Sequence, residues 1–230
     1  MSDGEPIASV RGPGHRLWAV RPFLAPVVAL GFGDARGFRL ALERGSPVEG
    51  GRAPHRLVTL PRDAIRLRIR PARHGGVLGG LLGPLLAGRF LSPERAPREL
   101  ALWLALDQRG IPLPTPVAAI ASRSAGLWSC HFATVERDHA RDGLAWLAAD
   151  PAPGTLRRGA LAFARALRRL HDAGVVHGDL HLRNLLFESK QGPADDGEML
   201  CLFVDLDHAK VYGATGSSVP PWARLAELAR

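Results

Sequence analysis

The stretch that decides the fold is Val175-Val176-His177-Gly178-Asp179-Leu180-His181-Leu182-Arg183-Asn184-Leu185-Leu186-Phe187. It begins with apolar residues, carries an acid and an amide in a short polar turn, and ends with apolar residues. Further along, Leu202-Phe203-Val204-Asp205-Leu206-Asp207 is an apolar run that ends in two acids. Short apolar runs of this kind are typical of buried strands. The pattern therefore predicts a polar loop between apolar segments, followed by a strand that ends in carboxylates.

Three residues of these stretches have the chemical types that phosphoryl transfer from ATP requires. One carboxylate must orient the attacking hydroxyl and accept its proton, and an amide and a second carboxylate must hold Mg²⁺ on the phosphates. Asp179 fits the first role, and Asn184 and Asp205 fit the metal roles. Asp179 follows His177 by two residues and Asn184 follows Asp179 by five, which matches the kinase loop H-x-D-x-x-x-x-N. A lone Asp-x-x-x-x-Asn would indicate only a solvated loop, but the flanking strands and the downstream acid together predict a kinase-like fold.

The order of the other predicted elements agrees with this fold class. These elements are strands at 56–60 and 64–70, a helix from Ser92-Pro93 to Gly110, a strand at 128–135, and a helix at 156–173 with the apolar stripe Leu156, Ala160, Phe163, Leu167 and Leu170. We predict an α+β, protein-kinase-like, two-lobed fold with a β-rich N-lobe and a small, mostly helical C-lobe. The expected parts are an extension or edge strands at 1–47, the N-lobe at 48–135 and the C-lobe at 136–230.

The predicted first lobe offers several groups for binding a nucleotide. Gly50 and Gly51 precede a hairpin, where glycine lets backbone N–H groups approach phosphates, although Gly-Gly also marks plain turns. Glu136 lies in the connector between the lobes, where backbone groups are expected to read adenine. No lysine precedes Lys190, so the cation that grips the phosphates is missing or is an arginine. Arg70 is the candidate and Arg68 the alternative, unless the arginines of this strand form a solvated face.

The composition indicates an anionic partner. The formal net charge is +8, and only Lys190 and Lys210 among the basic residues are lysines. A nucleotide, a phosphorylated lipid, a membrane surface or a nucleic acid could supply the opposite charge. The arginines are not interleaved with aromatic residues as a single-strand platform requires, so no nucleic acid is expected. His177 and His181 have no third ligand at zinc-like spacing, and His177 is expected to brace the loop through hydrogen bonds.

The cysteines, the N-terminus and the apolar runs indicate in which cellular compartment the protein is found. Cys130 and Cys201 are far apart in the sequence, which predicts buried free thiols in a reducing compartment. The N-terminus is acidic where a signal peptide would be basic, and no apolar run approaches the roughly 20 residues of a membrane span. The uncharged stretch from Gly75 to Gly88 is either a flexible connection or an apolar flap on a membrane or lipid substrate. We expect a cytoplasmic protein, and peripheral contact with the inner membrane stays open as an alternative.

Several motifs together resemble the bacterial lipopolysaccharide-core kinases, in particular the 3-deoxy-manno-octulosonic acid (Kdo) kinases. They are Arg73-His74-Gly75-Gly76, Arg98-Glu99-Leu100, Gly110-Ile111-Pro112-Leu113-Pro114-Thr115-Pro116-Val117-Ala118, Leu170-His171-Asp172-Ala173-Gly174-Val175 and Val204-Asp205-Leu206-Asp207. The resemblance implies ATP-dependent phosphorylation of a sugar or lipid-linked sugar, with Kdo of the inner core as the expected, anionic acceptor. It implies Asp179 as base, Asn184 and Asp205 as Mg²⁺ ligands, and Glu99 as the carboxylate that positions the phosphate-gripping cation. A monomer is favoured.

Two alternatives stay open at this point. The segment His177-Gly178-Asp179-Leu180-His181 is also similar to aminoglycoside and choline phosphotransferases, which act on small molecules. The missing lysine favours an inactive kinase fold that binds a nucleotide or a lipid, whereas the joint presence of Asp179, Asn184 and Asp205 favours an enzyme. Gly178 leaves no cation to pair with a phosphorylated activation loop, and the short segment between Asp207 and Pro221 leaves little room for docking a protein substrate.

Overall fold

The computed structural model describes residues 5–48, 55–61, 64–72, 89–189, 197–212 and 219–228. The predicted phosphate loop at Gly50 and Gly51 and the predicted flap from Gly75 to Gly88 lie outside these residues. The chain divides into two compact units. Unit 1 contains Met1–Leu104 and Thr115–Glu136, and unit 2 contains Ala105–Pro114 and Arg137–Arg230.

Unit 1 is built on one large antiparallel sheet. Its described strands are β1 (Ile7–Gly12), β2 (His15–Val20), β3 (Ser46–Val48), β4 (His55–Thr59), β5 (Arg66–Pro71), β6 (Arg89–Phe90), β7 (Pro116–Ser124) and β8 (Leu127–Val135). Their order is β1-β2-β7-β8-β5-β4-β3, and β6 pairs with β8 beside this path. Central strand β7 is buried from Pro116 to Ala121, which explains its run of small apolar residues.

The alternating strand predicted from the sequence is present as β5. Leu67 and Ile69 are fully buried, while the arginines between them lie on the other face. The strand begins at Arg66 and not at Ala64, because Ala64 has a φ of 51° in the left-handed region. A strand residue cannot adopt that conformation, so the chain enters the sheet two residues later than predicted.

The first 47 residues contain strands and helices. β1 and β2 form one edge of the sheet, where β2 pairs with β7. Two helices follow, α1 (Leu24–Val27) and α2 (Ala35–Arg44). Asp34 caps α2, since its carboxylate accepts hydrogen bonds of 2.9 Å from the N–H groups of Arg36 and Gly37. No helix was predicted here because Pro, Gly and Arg interrupt the short apolar runs, whereas packing of Phe38 edge-on to Phe32 holds the helix in place.

Helix α3 (Arg95–Gln108) begins later than the sequence indicates. We predicted Ser92 as its cap and Pro93 as its first residue. Instead, Ser92 Oγ accepts a hydrogen bond of 3.2 Å from the N–H of Glu94, and the Pro93 carbonyl accepts one of 3.1 Å from Ala96. These bonds form a separate turn that delays the helix until Arg95. At the other end, Gly110 has a φ of 70° and terminates the segment as expected.

Unit 2 combines helices with two small sheets. Its described strands and α-helices are β9 (Arg141–Asp142), α4 (Gly143–Ala148), α5 (Pro153–Asp172), β10 (Val175–Val176), β11 (Leu185–Ser189), β12 (Met199–Phe203), β13 (Lys210–Val211) and α6 (Pro221–Leu228), with short 3-10 helices at Leu182–Asn184 and Leu206–His208. The sheets have the orders β12-β11-β9 and β10-β13. Leu170, Leu185 and Phe203 belong to the core of this unit. None of the described helices combines the length and the apolarity needed to cross a membrane.

The buried face of α5 is rotated from the predicted stripe. Leu167 and Leu170 are buried as predicted, but Leu156 and Ala160 are exposed. The residues that turn inward instead are mostly small: Gly159, Ala162, Ala166 and, at the end, His171. A Cβ at Gly159 would overlap the ring of Trp146 on α4. The close approach of α4 therefore selects small residues for the inner face, a requirement that hydrophobic periodicity does not reveal.

Candidate active site

The loop between β10 and β11 holds Asp179 in a fixed position. Asn184 Nδ2 donates to the main-chain carbonyl of Asp179 at 2.9 Å and to its carboxylate Oδ2 at 3.3 Å. Asn184 is buried, whereas the carboxylate side chain of Asp179 is 49% exposed. The loop is thus anchored from inside while the carboxylate stays accessible to a substrate. His181 Nε2 lies 3.5 Å from Asp179 Oδ2 on the exposed side.

Asp205 is linked to the same loop through the backbone. The N–H of Val204 donates to the carbonyl of Asn184 at 3.0 Å, continuing the antiparallel pairing of β11 with β12. Asp205 then adopts φ 60° and ψ 58°, the left-handed conformation. That region costs an L-residue about 1–2 kcal/mol, least for Asp and Asn, whose short polar side chains can bond locally. The strand therefore ends at a strained, half-buried acid one residue after the bond to Asn184.

His177 ties the loop to the end of β12. The side chain is fully buried, and Nε2 lies 2.9 Å from the carbonyl oxygen of Val204. Since a carbonyl only accepts, Nε2 carries the proton in this tautomer. Burial lowers the pKa of His177 below its usual 6.5, so the ring is held neutral. This is the type of bracing bond expected from the sequence, and a catalytic contribution of His177 stays a prediction.

Gly178 and Glu227 form an anchor that the sequence analysis missed. Gly178 has a φ of 81°, and a Cβ there would overlap the carbonyl oxygen of His208. Its N–H donates to Glu227 Oε1 at 2.8 Å, while His171 Nε2 lies 2.7 Å from Glu227 Oε2. Glu227 is only 4% exposed although it lies on the short helix α6. Nothing in the sequence marks this acid as buried, because its partners are 49 and 56 residues away.

The oxygen atoms of this loop suit a hard cation. Asn184 uses Nδ2 for Asp179, so its Oδ1 is the atom that could bind a metal ion, and Asp205 could add a carboxylate. Mg²⁺ is usually held by one or two carboxylates together with phosphates and water. Within the described ranges, no group of three or more His, Cys, Asp or Glu side chains is arranged to hold a metal ion. Asn184 and Asp205 therefore fit Mg²⁺ that shares its coordination sphere with a phosphate.

In unit 1, the two candidate arginines of β5 have different acidic partners. Arg70 Nη2 donates to Glu99 Oε1 of α3, and these side chains are 16% and 8% exposed. The Arg70 guanidinium also lies 5.3 Å from the centroid of the Phe132 ring, a cation–π distance. Arg68 forms two bonds of 2.6 Å to the carboxylate of Glu136. The structure thus joins Arg70 to Glu99, the pair predicted to act together, and joins Arg68 to Glu136.

The two thiols are free and buried. Cys130 lies in unit 1 and Cys201 in unit 2. Burial is the main cause that raises the pKa of Cys130 to about 11 and that of Cys201 to about 12. Both therefore stay protonated and poorly nucleophilic near neutral pH, and neither takes part in the site.

An accessible carboxylate, an amide and a second carboxylate are the side chains that phosphotransferases of the kinase type use, and the Arg70–Glu99 pair stands where such enzymes have a lysine–glutamate pair. Comparison with known proteins agrees with this class. The model of the lipopolysaccharide kinase (Kdo/WaaP) family matches residues 57–214. The chain belongs to this family.

Individual relatives are similar over a shorter stretch. A 3-deoxy-D-manno-octulosonic acid kinase of Vibrio parahaemolyticus is 27% identical over 128 residues, which is 56% of this chain and 52% of the relative. The enzymes of that name from Vibrio cholerae and Actinobacillus succinogenes are 29% and 31% identical, over 49% and 48% of this chain and 48% and 47% of theirs. The chain thus spans about half the length of the curated relatives it matches.

Proposed function

We propose that this protein is an ATP-dependent kinase that phosphorylates a hydroxyl group of Kdo in the lipopolysaccharide inner core. The observation that carries the proposal is the bonded pair of Asp179 and Asn184, joined through Val204 to the strand end at Asp205. Family membership and the names of the Kdo kinase relatives support the choice of acceptor. The uncommitted half of the Asp179 carboxylate can receive the proton of a sugar hydroxyl.

Each residue of the loop has a distinct role in this proposal. Asp179 orients the acceptor hydroxyl and takes its proton, and Asn184 fixes the direction of that carboxylate. Asn184 Oδ1 and Asp205 hold Mg²⁺, which when bound neutralises charge on the phosphates of ATP. Neutral His177 and the bond from Gly178 to Glu227 keep the loop in one conformation, so Asp179 needs no reorganisation when the acceptor arrives.

We assign the phosphate-gripping role in unit 1 to Arg70, with Glu99 holding its guanidinium in place. Arg68 is less suited to that role because both of its bonds go to Glu136. We also propose that the two-lobed kinase arrangement applies, with lobes at 48–135 and 136–230. In this arrangement Gly50, Gly51 and the connector at Glu136 contribute main-chain groups to the nucleotide site. The N–H of Glu136 is already bonded to the Arg66 carbonyl at 2.8 Å, so the main-chain donor to adenine would come from a neighbouring residue of the connector.

A transfer assay with defined acceptors tests the proposal. The full chain is incubated with ATP labelled in the γ-phosphate and either a Kdo-bearing lipid A precursor, an aminoglycoside or choline. We expect label only in the Kdo-bearing lipid, only with Mg²⁺, and not with the Asp179→Asn variant. Transfer only to an aminoglycoside or to choline would refute Kdo as the acceptor and identify that molecule class instead. ATP binding without transfer to any acceptor would instead indicate an inactive nucleotide-binding protein.

A further inference from the structure

Helix α6 exposes its large apolar side chains and buries its charge. Ala223 and Glu227 face inward, at 3% and 4% exposure. Trp222, Leu225 and Leu228 are 65%, 68% and 59% exposed. Their spacing of three residues places them along one side of the helix. The ring of Tyr212, just after β13, meets that of Trp222 edge-on at 6.0 Å. We call the three exposed residues, Trp222, Leu225 and Leu228, the α6 face.

The orientation of α6 is fixed from its inner side. Ala223 packs into a small cluster with Val176 and Val219, and Glu227 accepts the hydrogen bond from Gly178. Turning the helix to bury Leu225 would pull the Glu227 carboxylate away from that bond and from His171. A buried hydrogen bond to a charged group is expensive to break. The exposed apolar face is therefore a consequence of the fold and not of a loosely attached helix.

The surroundings of the α6 face are positively charged. Arg224 Nη2 and Arg168 Nε both lie 3.5 Å from the carboxylate of Asp172, so two cations share one acid. Lys210 is exposed and lies two residues before Tyr212, whose ring meets that of Trp222, so the two side chains leave the strand on the same side. Helix α5, which ends at Asp172, carries five arginines and that single acid. An apolar strip next to an excess of Arg and Lys is the pattern of helices that lie in the headgroup region of anionic membranes.

We propose that the α6 face docks on the surface of an anionic phospholipid bilayer. Trp222 and the two leucines would enter the boundary between headgroups and acyl chains, where Trp is favoured. Lys210 would meet the anionic headgroups and strengthen binding by about fivefold, and Arg168 with Arg224, which share Asp172, would add one net positive charge. A second copy fits this face less well, because a symmetric contact brings the same cations together. The inference goes beyond the proposed function and does not depend on catalysis.

Vesicle binding with matched leucine variants tests this inference. The full chain is floated with vesicles of phosphatidylcholine alone or mixed with phosphatidylglycerol. We expect binding to the mixed vesicles only, weakened about tenfold by Leu225→Ser because a large apolar side chain is lost. Leu91→Ser is the control, since Leu91 is 87% exposed in unit 1 and its loss should change nothing. Lys210→Gln should weaken binding about fivefold, and Arg39→Gln, an exposed arginine of α2, should not.

The site of contact is read from fluorescence. Brominated lipids should quench the native protein more than Trp222→Phe, because Trp222 enters the bilayer. Absence of vesicle binding, or equal binding by Leu225→Ser and Leu91→Ser, would overturn the inference. A dimer in sedimentation velocity that Leu225→Ser abolishes, without vesicle binding, would overturn it in favour of a second copy. Vesicle binding through this face by a protein that transfers no phosphate would refute the proposed function alone.

Discussion

Removal of both partners of the Arg70–Glu99 pair should destabilise the protein little more than removal of either one. The two side chains are 16% and 8% exposed, and the Arg70 guanidinium lies against the rings of Phe132 and Trp103. Breaking a buried ion pair by removing one of its members costs about 3–5 kcal/mol. Arg70→Ala and Glu99→Ala should therefore each lower the free energy of unfolding by about 3 kcal/mol. The double variant should lie within about 1 kcal/mol of the poorer single variant, since members of one network couple by up to about 3 kcal/mol.

The same three variants show whether the Arg70–Glu99 pair only stabilises the fold or also binds the phosphates of ATP. Urea unfolding gives the stability cycle, and kcat/KM for ATP gives the kinetic cycle at a temperature where all variants are folded. If Arg70 grips phosphate and Glu99 positions it, the kinetic cycle is non-additive as well. Arg68→Ala is the neighbour control, because Arg68 lies on the same strand but pairs with Glu136. Additive stability losses, or a larger kinetic defect in Arg68→Ala than in Arg70→Ala, would refute the reasoning.

Four further outcomes are expected. Asp179→Ala should lower kcat by about 10²–10⁴-fold with ATP binding kept; near-normal turnover would remove it from the role of base. Asp205→Asn, a residue tolerated at φ 60°, should weaken ATP binding with Mg²⁺ far more than without it in calorimetric titrations, whereas equal losses would make Asp205 structural. Glu227→Gln should keep the bond from the Gly178 amide and most of kcat, while Glu227→Ala should speed hydrogen exchange of that amide and lower kcat; identical variants would contradict the anchor. Because burial lowers the folded-state pKa of His177 from 6.5, its contribution to stability is complete above pH 6.5 and is lost as pH falls below that value. In His177→Asn, the free energy of unfolding should therefore fall less steeply as pH decreases below 6.5. An unchanged pH dependence would mean that other groups cause the fall.

The parts of the fold that short-range patterns determine were predictable. β5 alternates between a buried and a polar face because a strand has a period of two, so Leu67 and Ile69 could be assigned from the sequence. The loop from His177 to Asn184 was recognisable because its chemistry depends on residue types at fixed spacing. The pairing of Arg70 with Glu99 followed from the expected roles of a strand cation and a helix acid, and the structure has that contact.

The parts that long-range packing determines were not predictable. The inner face of α5 depends on the ring of Trp146 at Gly159, so the stripe that included Leu156 was rotated from the true one. Helix α2 forms although Pro, Gly and Arg interrupt the short apolar runs, because Phe38 packs on Phe32. Glu227 is buried only because His171 and Gly178 meet it in space. No local sequence pattern indicates these contacts between residues that are far apart in the chain.

Helix α6 lies beyond the residues that carry the family motifs, which has a practical consequence for where this protein can be shortened. The family model matches 57–214, whereas α6 begins at Pro221. A chain cut at the end of the match would keep Asp179, Asn184 and Asp205 but lose the carboxylate that receives Gly178 and His171. Losing such an acceptor inside the protein costs about 1–3 kcal/mol per donor. A gene fragment with every recognisable motif could thus be counted as an intact kinase while its catalytic loop had lost its support.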